Sequence, residues 1–496
     1  MSSIRFTNED VALFSEASHD RNPLHLSGAY ARKSPFGQPV IFGALAALGG
    51  IGRLDPRPDS GPARIDIEFQ NPVFPDVEYD LSVQDDPDTS RVRLSDGRRP
   101  LVTASITYRP AVHGSMTSRV RAALLPAAQL REASDFSKGR AVTGTWAFDR
   151  DAYDRLRDRW QLQEKGGDER HQAALLLASY VVGMEMPGRQ ALFSRLTLDF
   201  DPGAVSTGGE FEYRLEVVLY QPVVKLLIMR VEFRLGAQRF ASGEIRAFVR
   251  EPIEMSDADA EALPAGDALQ GKVACVVGGS RGLGAAISAA LARQGCRVHV
   301  NFAKSLEEAE RLRDRLRGAS GEIILAQGDA ADADSWQRIR EDVVRDRGRL
   351  DMLVCNACPP LLPLWVEPQA VPRIQEHVSQ SVAVTLTPLA ALVELLAESS
   401  GWLVLISSVA VRNPVAEWPH YVAAKGALEA LVSTVAIEYP QIKCLIARPS
   451  RLVTELTNTP LGRKGAIDPG VAAATLVQWV LTPRDVAAGR VAYLDF

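Results

Sequence analysis

The chain of 496 residues has only five cysteines and seven histidines. So few cysteines in so long a chain do not form a disulfide framework, which fits a reducing compartment. The first residues, Met1–Phe6, lack the apolar core of a signal peptide, and no uncharged apolar run is long enough to span a membrane. The last residues, Val491–Phe496, do not match the peroxisomal address. We therefore expect a cytoplasmic protein with no membrane partner.

The chain also lacks a strong charge of either sign. Its net charge is -5 and its arginines are scattered, so nucleic acid is not an expected partner. Hydrophobic residues make up 46% and charged residues 24% of the chain, as in an ordinary globular protein. The length exceeds what one hydrophobic core accommodates and favours roughly three domains.

Two segments have the composition of linkers: residues 110–140, which mix Pro, Gly and Ser, and the acidic residues 251–270. They predict domains at 1–115, 141–252 and 268–496. In the first domain a helical pattern, a nearly all-apolar helix and alternating strands predict an α+β fold. The second domain repeats this order, which indicates a duplication. The third alternates strands and helices, which predicts an α/β doubly wound parallel sheet.

The third domain carries four spaced motifs. The apolar run Val273–Val277 leads into the glycine-rich turn at 278–284, and Asn356-Ala357, Ser407-Ser408 and Tyr421-x-x-x-Lys425 follow. Together they resemble the short-chain dehydrogenase/reductase family, in which a nicotinamide cofactor exchanges hydride with a carbonyl or an alcohol. A glycine-rich turn alone is weak evidence, since a structural turn between a strand and a helix looks similar.

The resemblance implies a cofactor site and a catalytic set. Glycine would let the backbone approach the cofactor pyrophosphate at the N-terminus of a helix. The implied catalytic residues are Tyr421 as proton donor, Lys425 to lower its pKa from one helical turn away, and Ser408 on the substrate oxygen. The implied cofactor-binding residues are Gly278, Ser280, Arg281, Gly282, Leu283, Gly284, Asn301, Lys304, Asp329, Ala330, Asn356 and Ala357.

Charge favours one of the two nicotinamide cofactors. An NAD site usually offers a carboxylate at the end of the second strand, whereas residues 298–305 contain none. Arg281 and Lys304 could both reach a 2′-phosphate, so NADPH/NADP+ is the expected cofactor.

Three positions depart from the family pattern. Cys358 stands where a glycine is usual, Ser381 aligns with an asparagine of the catalytic set, and Pro449-Ser450 replaces Pro-Gly. Cys355 and Cys358 could also form a redox or zinc pair, but one cysteine falls within a predicted strand and no second ligand pair appears, so no metal is predicted.

A second resemblance lies at the N-terminus. The segment Asp20-Arg21-Asn22-Pro23-Leu24-His25, with the flanking residues up to Gly43, resembles MaoC-like (R)-specific enoyl-thioester hydratases, which are hotdog folds. Hydration and its reverse need an acid and a base around one water, and Asp20 and His25 flank a Pro-containing turn. By resemblance, the Gly43 amide would stabilise the thioester enolate. His19 and Phe42 depart from the family pattern.

The middle domain has no second Asp-x-x-x-x-His, and His171 is better explained as a capping or surface residue. We expect this domain to complete a double hotdog. The resulting hypothesis is a bifunctional enzyme with NADPH-dependent 3-oxoacyl-thioester reductase and (3R)-hydroxyacyl-thioester dehydratase activities. Its thioester substrate would be an acyl-CoA or an acyl-carrier-protein adduct, and the chain would form a homodimer or a higher homo-oligomer. Two alternatives stay open: hydration followed by oxidation, or one catalytic half with the other serving for structure or carrier docking.

Overall fold

The computed structural model describes residues 2–57, 59–110, 127–163, 165, 167–202, 210–250, 253–458, 460–482 and 486–496. It divides into two compact units, Met1–Glu251 and Pro252–Phe496, each with its own sheet.

The N-terminal unit is built on one ten-stranded antiparallel sheet. The strands run in the spatial order β1-β3-β4-β5-β2-β7-β10-β9-β8-β6. Their bounds are β1 (Ser2–Arg5), β2 (Ser60–Phe69), β3 (Glu78–Asp85), β4 (Thr89–Asp96), β5 (Arg99–Pro110), β6 (Ala141–Trp146), β7 (Ala191–Phe200), β8 (Phe211–Gln221), β9 (Leu226–Leu235) and β10 (Gln238–Val249). The order of the second five mirrors that of the first five, and the halves join where β2 pairs with β7. This symmetry confirms the repeated order of elements that the sequence indicates.

Each half places one apolar helix against the sheet. The helices of this unit are α1 (Asn8–Ser18), α2 (Pro23–Leu26), α3 (Gly28–Ala31), α4 (Gly43–Ile51), α5 (Arg150–Arg159) and α6 (Glu169–Tyr180), and α6 continues as a π-helical turn at Val181–Glu185. In α4 every residue from Ala44 to Ile51 is buried, and α6 is buried from His171 onward. Because both helices bury all their faces, they belong to one core that both halves share.

The C-terminal unit is a parallel sheet with the strand order β13-β12-β11-β14-β15-β16-β17. Its strands are β11 (Val273–Val277), β12 (Arg297–Phe302), β13 (Glu322–Gln327), β14 (Met352–Cys355), β15 (Trp402–Ile406), β16 (Lys443–Arg448) and β17 (Val491–Asp495). Its helices are α7 (Asp257–Ala262), α8 (Gly282–Arg293), α9 (Leu306–Arg315), α10 (Ala333–Arg347), α11 (Val371–Glu398), α12 (Pro419–Glu438), α13 (Pro460–Arg463) and α14 (Pro469–Leu481). The strand order reverses between β11 and β14, which is the switch point where nucleotides bind in such sheets.

Two apolar clusters cover the two faces of this sheet, so its central strands are buried on both sides. β11 and β14 are accordingly buried along their whole length. The predicted doubly wound parallel sheet is confirmed. Sequence reasoning did not predict β17, which adds the outer strand beside β16.

Among the described residues, one helical stretch, Pro368–Glu398, is long and apolar enough to span a membrane by length and composition. This is weak evidence for a span, because core helices of soluble proteins pass the same test. In the unit, α11 packs on α10 and α12.

Candidate active sites

The glycine-rich turn of the C-terminal unit has the shape of a nucleotide cradle. Gly278 and Gly282 have positive φ values of 70° and 52°, which side chains rarely adopt. A Cβ atom at Gly278 would lie 3.0 Å from the Ala357 Cα, and one at Gly284 would collide with the Gly278 carbonyl. Asn356 Nδ2 donates to that carbonyl at 3.0 Å. The turn therefore fits a cofactor pyrophosphate, which the free amides at the start of α8 would bind.

The other predicted cofactor residues take different positions. Ser280, Leu283 and Ala330 are buried. Lys304 is exposed after β12, and Asp329 is exposed after β13 and accepts a hydrogen bond from the Ala331 amide at 2.9 Å.

Two of the predicted contacts with the cofactor have protein partners instead. The Asn301 amide is buried and donates to the carbonyls of Ala326 at 3.2 Å and Gly328 at 3.0 Å, so it ties β12 to β13 beneath the turn. The Arg281 guanidinium binds the Glu455 carboxylate at 2.7 Å. Arg281 is therefore not free to meet a phosphate unless Glu455 gives it up.

The three predicted catalytic residues lie at the carboxyl end of β15 and the start of α12. Lys425 is buried and its Nζ donates to the Ile406 carbonyl at 2.7 Å. The same Nζ lies 5.8 Å from the centre of the Tyr421 ring, one turn earlier on α12. The Ser408 hydroxyl caps a short turn through the Ala410 amide at 3.1 Å and lies close enough to Tyr421 to lower its pKa. The structure thus brings Ser408, Tyr421 and Lys425 together.

The electrostatics of Tyr421 only partly match the expectation. Burial raises the pKa of Tyr421, and the nearby Cys358 adds to the rise, whereas Lys425 and Ser408 lower it. The net direction is upward. Lys425 lowers the pKa of Tyr421 as predicted, but burial raises it by more.

A buried ion pair that sequence reasoning missed holds this set in place. Arg448 at the end of β16 binds both carboxylate oxygens of Glu429 on α12, at 2.8 and 2.6 Å. Ser407, next to Ser408, donates to the same carboxylate at 2.5 Å. The fork of hydrogen bonds ties α12 to the ends of β15 and β16. In the sequence, this ion pair could have been suspected only from Ser407 beside the motif serine and from Arg448 before Pro449.

Cys358 and Ser381, which depart from the family pattern, differ in exposure. Cys358 is exposed, while Cys355 is buried inside β14. Ser381 is buried on α11. Among the described residues, no group of three or more His, Cys, Asp or Glu side chains could hold a metal ion.

In the N-terminal unit, Asp20 lies in the turn between α1 and α2. His19 ends α1 with a φ of 58°, the left-handed conformation that favours glycine, so this departure from the family pattern keeps a backbone conformation that suits glycine better. The Asp20 carboxylate is buried and accepts hydrogen bonds from the Asn22 amide at 3.0 Å and the Ser179 hydroxyl at 2.7 Å. Burial raises the pKa of Asp20 to about 7, against the two hydrogen bonds.

His25 lies on α2, which Asn22 caps through the Leu24 amide at 3.0 Å. Its Nδ1 lies 2.8 Å from the Val40 carbonyl, and its ring stacks on Phe42 at 3.9 Å. Because a carbonyl only accepts, Nδ1 must carry the proton, which leaves a lone pair on Nε2. Burial lowers the pKa of His25 to about 4, against the hydrogen bond to Val40. Phe42 thus packs against the His25 ring.

Gly43 begins α4 directly after Phe42, whose ring stacks on His25. A Cβ atom at Gly43 would collide with the Phe69 ring, which accounts for glycine here. The first amides of a helix have no partner within the helix and attract negative charge.

The second half of this unit completes the site. Besides Ser179, the chain at Gly183 approaches the Asp20 carboxylate so closely that a Cβ would collide with it. Asn22 Nδ2 donates to the carbonyls of Gly183 at 3.1 Å and Gly188 at 3.0 Å. Sequence reasoning missed these partners, because nothing local marks a serine 159 positions away. His171 is buried and forms a capping box with Asp168 at 2.7 Å, as the capping interpretation predicts.

Comparison with known proteins gives two family matches. The family described as short chain dehydrogenase matches residues 272–461, and the one described as MaoC like domain matches residues 2–93. An uncharacterised oxidoreductase from Methylorubrum extorquens is 33% identical over 234 residues, which cover 46% of this chain and 91% of that protein. A versicolorin reductase from Emericella nidulans is 40% identical over 89 residues, 18% of this chain and 34% of that protein, so the match spans about a third of its length.

Among solved structures, an alcohol dehydrogenase from the archaeon Thermococcus sibiricus, complexed with 5-hydroxy-NADP, is 27% identical. The alignment covers 45% of this chain and 95% of that one, with a TM-score of 0.42. The motifs of the glycine turn and of the serine, tyrosine and lysine fall within the matched range 272–461, and Asp20, His25 and Gly43 fall within 2–93. The chain therefore belongs to the short-chain dehydrogenase family through its C-terminal unit and carries a MaoC-like domain at its N-terminus.

Proposed function

We propose that the chain is a bifunctional enzyme that reduces a 3-oxoacyl thioester with NADPH and then dehydrates the (3R)-hydroxyacyl product to the trans-2-enoyl thioester. The observation that carries this proposal is the presence, in one chain, of the Ser408–Tyr421–Lys425 set and of an acid–base pair with opposed pKa shifts. The product of the first reaction is the substrate of the second.

The N-terminal unit fits a double hotdog. Two apolar helices, α4 and α6, pack on a continuous antiparallel sheet whose two halves repeat the same strand order. Only the first half carries Asp20 and His25, while the second supplies Ser179 to the same carboxylate. This division supports one dehydratase site per chain, with the second half as its support.

The dehydratase step follows from the protonation states. At neutral pH, His25 with a pKa of about 4 is neutral, and its Nε2 can remove a proton from C2 of the substrate. A large fraction of Asp20, with a pKa of about 7, is protonated and can donate to the leaving hydroxyl at C3. The Gly43 amide would stabilise the thioester oxygen as negative charge builds on it. Removal of a proton from C2 leaves negative charge, which the neighbouring carbonyl of a thioester would take up. This requirement supports a thioester substrate.

In the reductase, a bound dihydronicotinamide supplies the hydride. Tyr421 donates its hydroxyl proton to the carbonyl oxygen that becomes the alcohol, and Ser408 hydrogen-bonds the same oxygen. Lys425, fixed by the Ile406 carbonyl, stabilises the phenolate that is left. The Glu429–Arg448 pair keeps the two elements that carry these residues in register.

The proposal of NADPH rests on the missing carboxylate after β12 and on two cations. Lys304 is exposed at that strand end, and Arg281 lies in the glycine turn. Arg281 would have to exchange Glu455 for the 2′-phosphate, so Lys304 is the more available of the two.

The reductive direction is favoured over hydration and oxidation. Relatives of this unit are named versicolorin reductase and tetrahydroxynaphthalene reductase, and reduction is the reaction in their names. We further propose a cytoplasmic homo-oligomer that acts on acyl groups carried by coenzyme A or by a carrier protein.

The decisive experiment incubates the purified chain with a 3-oxoacyl thioester and NADPH and resolves the products by mass. Wild type should yield the enoyl thioester. Asp20→Asn should stop at the hydroxyacyl thioester while NADPH consumption continues, with dehydration slowed by about 10²–10⁴-fold. If the wild-type protein stops at the hydroxyacyl thioester, the N-terminal unit is not a dehydratase and a docking role is favoured. If the wild-type protein does not consume NADPH, the proposed reductase activity is refuted.

A further inference from the structure

The second half of the N-terminal unit holds a cavity that the proposed function does not use. Its volume is about 490 Å³, which lies in the range of small-molecule sites. Its walls come from the start of α6, the ends of β5 and β7, the start of β2 and the helix α5. All of these elements belong to the N-terminal unit, so the cavity lies within that unit.

The mirrored strand order makes this cavity the counterpart of the cleft around Asp20 and His25. α6 of the second half corresponds to α4 of the first, and β7 corresponds to β2. In the first half, the start of α4 lies against Phe69, the last residue of β2. In the second half, the start of α6 lies against Phe200, the last residue of β7, because the centre of the His171 ring is 4.4 Å from that of Phe200.

The acidic groups of this cavity are already engaged by cations. The Asp168 carboxylate caps α6 and binds the Arg170 guanidinium at 2.9 Å and His171 Nδ1 at 2.7 Å. The Glu169 carboxylate binds the Arg150 guanidinium at 2.6 Å. Asp168 and Glu169 therefore cannot also neutralise the other cations of the cavity.

The cavity is rich in arginine. Among the described residues, four arginines line it, namely Arg57, Arg109, Arg157 and Arg170. Two of them are neutralised within the protein, since Arg57 binds the Asp85 carboxylate and Arg170 binds Asp168. The charges of Arg109 and Arg157 are left to be balanced.

Arg109 and Arg157 contact only neutral groups. At the end of β5, the Arg109 guanidinium donates to the Phe200 carbonyl at 2.6 Å. On α5, the Arg157 guanidinium lies 6.0 Å from the centre of the Tyr153 ring. Neither arginine forms an ion pair with another described residue, and both are half-buried. Because a partly buried cation without a counter-charge is costly, the pair favours an anion with two negative charges.

We propose that this cavity binds the phosphate dianion of a small molecule between Arg109 and Arg157. A phosphate group carries close to two negative charges at neutral pH and offers three oxygens to guanidinium groups. A single carboxylate would balance only one of the two arginines. The cavity is larger than a phosphate ion, so it has room for an organic group bonded to the phosphate. The inference does not depend on either proposed activity.

Isothermal titration of the full chain with inorganic phosphate and with glycerol 3-phosphate measures the binding. Arg109→Gln and Arg157→Gln should each raise the Kd by about 10-fold or more, because each removes a charge-assisted hydrogen bond. Arg155→Gln is the matched control. Arg155 lies on α5 with Arg157 but points to solvent and pairs with Glu16 at 2.9 Å, so its replacement removes the same charge and should leave the Kd unchanged.

The two probes distinguish the source of the phosphate. Tighter binding of glycerol 3-phosphate identifies a phosphate monoester as the ligand, whereas tighter binding of inorganic phosphate identifies the free ion. Acetate is the monoanionic control, and acetate binding as tight as that of both phosphates would overturn the proposal.

Three other results would also overturn it. The first is the absence of binding of either phosphate at millimolar concentration. The second is binding that neither cavity variant weakens, since the phosphate would then bind elsewhere. The third is equal weakening by Arg155→Gln, which would show attraction by net charge alone. Thermal unfolding checks that each variant is folded, and since Arg109 and Arg157 lie on different elements, a folding defect in one variant leaves the other as the test.

Discussion

Replacing Asp20 by asparagine should stabilise the N-terminal unit while it stops dehydration. The pKa of about 7 lies well above the ordinary value of 3.8, because burial penalises the charged form. Each unit of pKa difference corresponds to about 1.36 kcal/mol, so ionisation of Asp20 destabilises the folded state by about 3–5 kcal/mol. Asparagine is never charged. It can keep the amide of Asn22 as a donor, and the Ser179 hydroxyl can turn to accept from it.

The sign of the pH dependence follows from the same pKa values. Below the unfolded pKa of 3.8, both states bind the proton and the cost is absent. As the pH rises from there to about 7, the unfolded chain has lost the proton that the folded one retains, so the wild type loses stability. Above that value the full cost is present. The advantage of Asp20→Asn should therefore grow through this window and level off by about pH 8.

Urea unfolding at several pH values, followed by pulse proteolysis, measures the difference between the two proteins. Since the C-terminal unit is the same in both, the difference reports on the N-terminal unit. Asp80→Asn is the matched control, because Asp80 is exposed on β3 and its replacement should give no such trend. A constant difference between wild type and Asp20→Asn at all pH values would refute the reasoning, as would a difference that shrinks as the pH rises.

Three further predictions concern single contacts. Ser179→Ala removes a hydrogen bond that lowers the pKa of Asp20, so the basic limb of the dehydration pH profile should move up by about one pH unit; Ser15→Ala, which removes a bond to the Asp20 carbonyl, should leave it in place. Tyr421→Phe should abolish carbonyl reduction yet bind NADPH normally by fluorescence titration, and reduction at the wild-type rate would contradict the assignment. Glu455→Gln should weaken the ion pair that holds Arg281 and lower the KM for NADPH by about 3- to 10-fold without a matching change for NADH; an equal effect on both cofactors would count against the 2′-phosphate contact.

The features predicted best from the sequence were those fixed by residues close together in the chain. The glycine turn before α8 and the Tyr421–Lys425 spacing both depend on local rules of turns and helical periodicity. Strands such as β3 and β17 escaped prediction, because short or half-exposed strands carry little pattern of their own and are fixed by their neighbours.

The site was predictable only where its residues were the reacting groups. Asp20, His25 and Tyr421 could be named because their chemistry follows from residue type. The residues that bind such side chains could not be named. Ser179, the partner of Asp20, and Glu455, the partner of Arg281, lie far from them along the chain. The same limit applies to pKa: the raised value of Tyr421 depends on burial, which no spacing reveals.

The pairing of β2 with β7 makes the two halves one body, and it limits how this domain can be taken apart. An engineer who transplants only residues 2–93 would carry Asp20 and His25 but leave behind the hydroxyl and the backbone that hold the Asp20 carboxylate. The cut would also expose β2 as a long unpaired edge strand, which promotes aggregation. The smallest portable dehydratase module is therefore the whole N-terminal unit, and chimeric enzymes should be joined in the linker that follows β10.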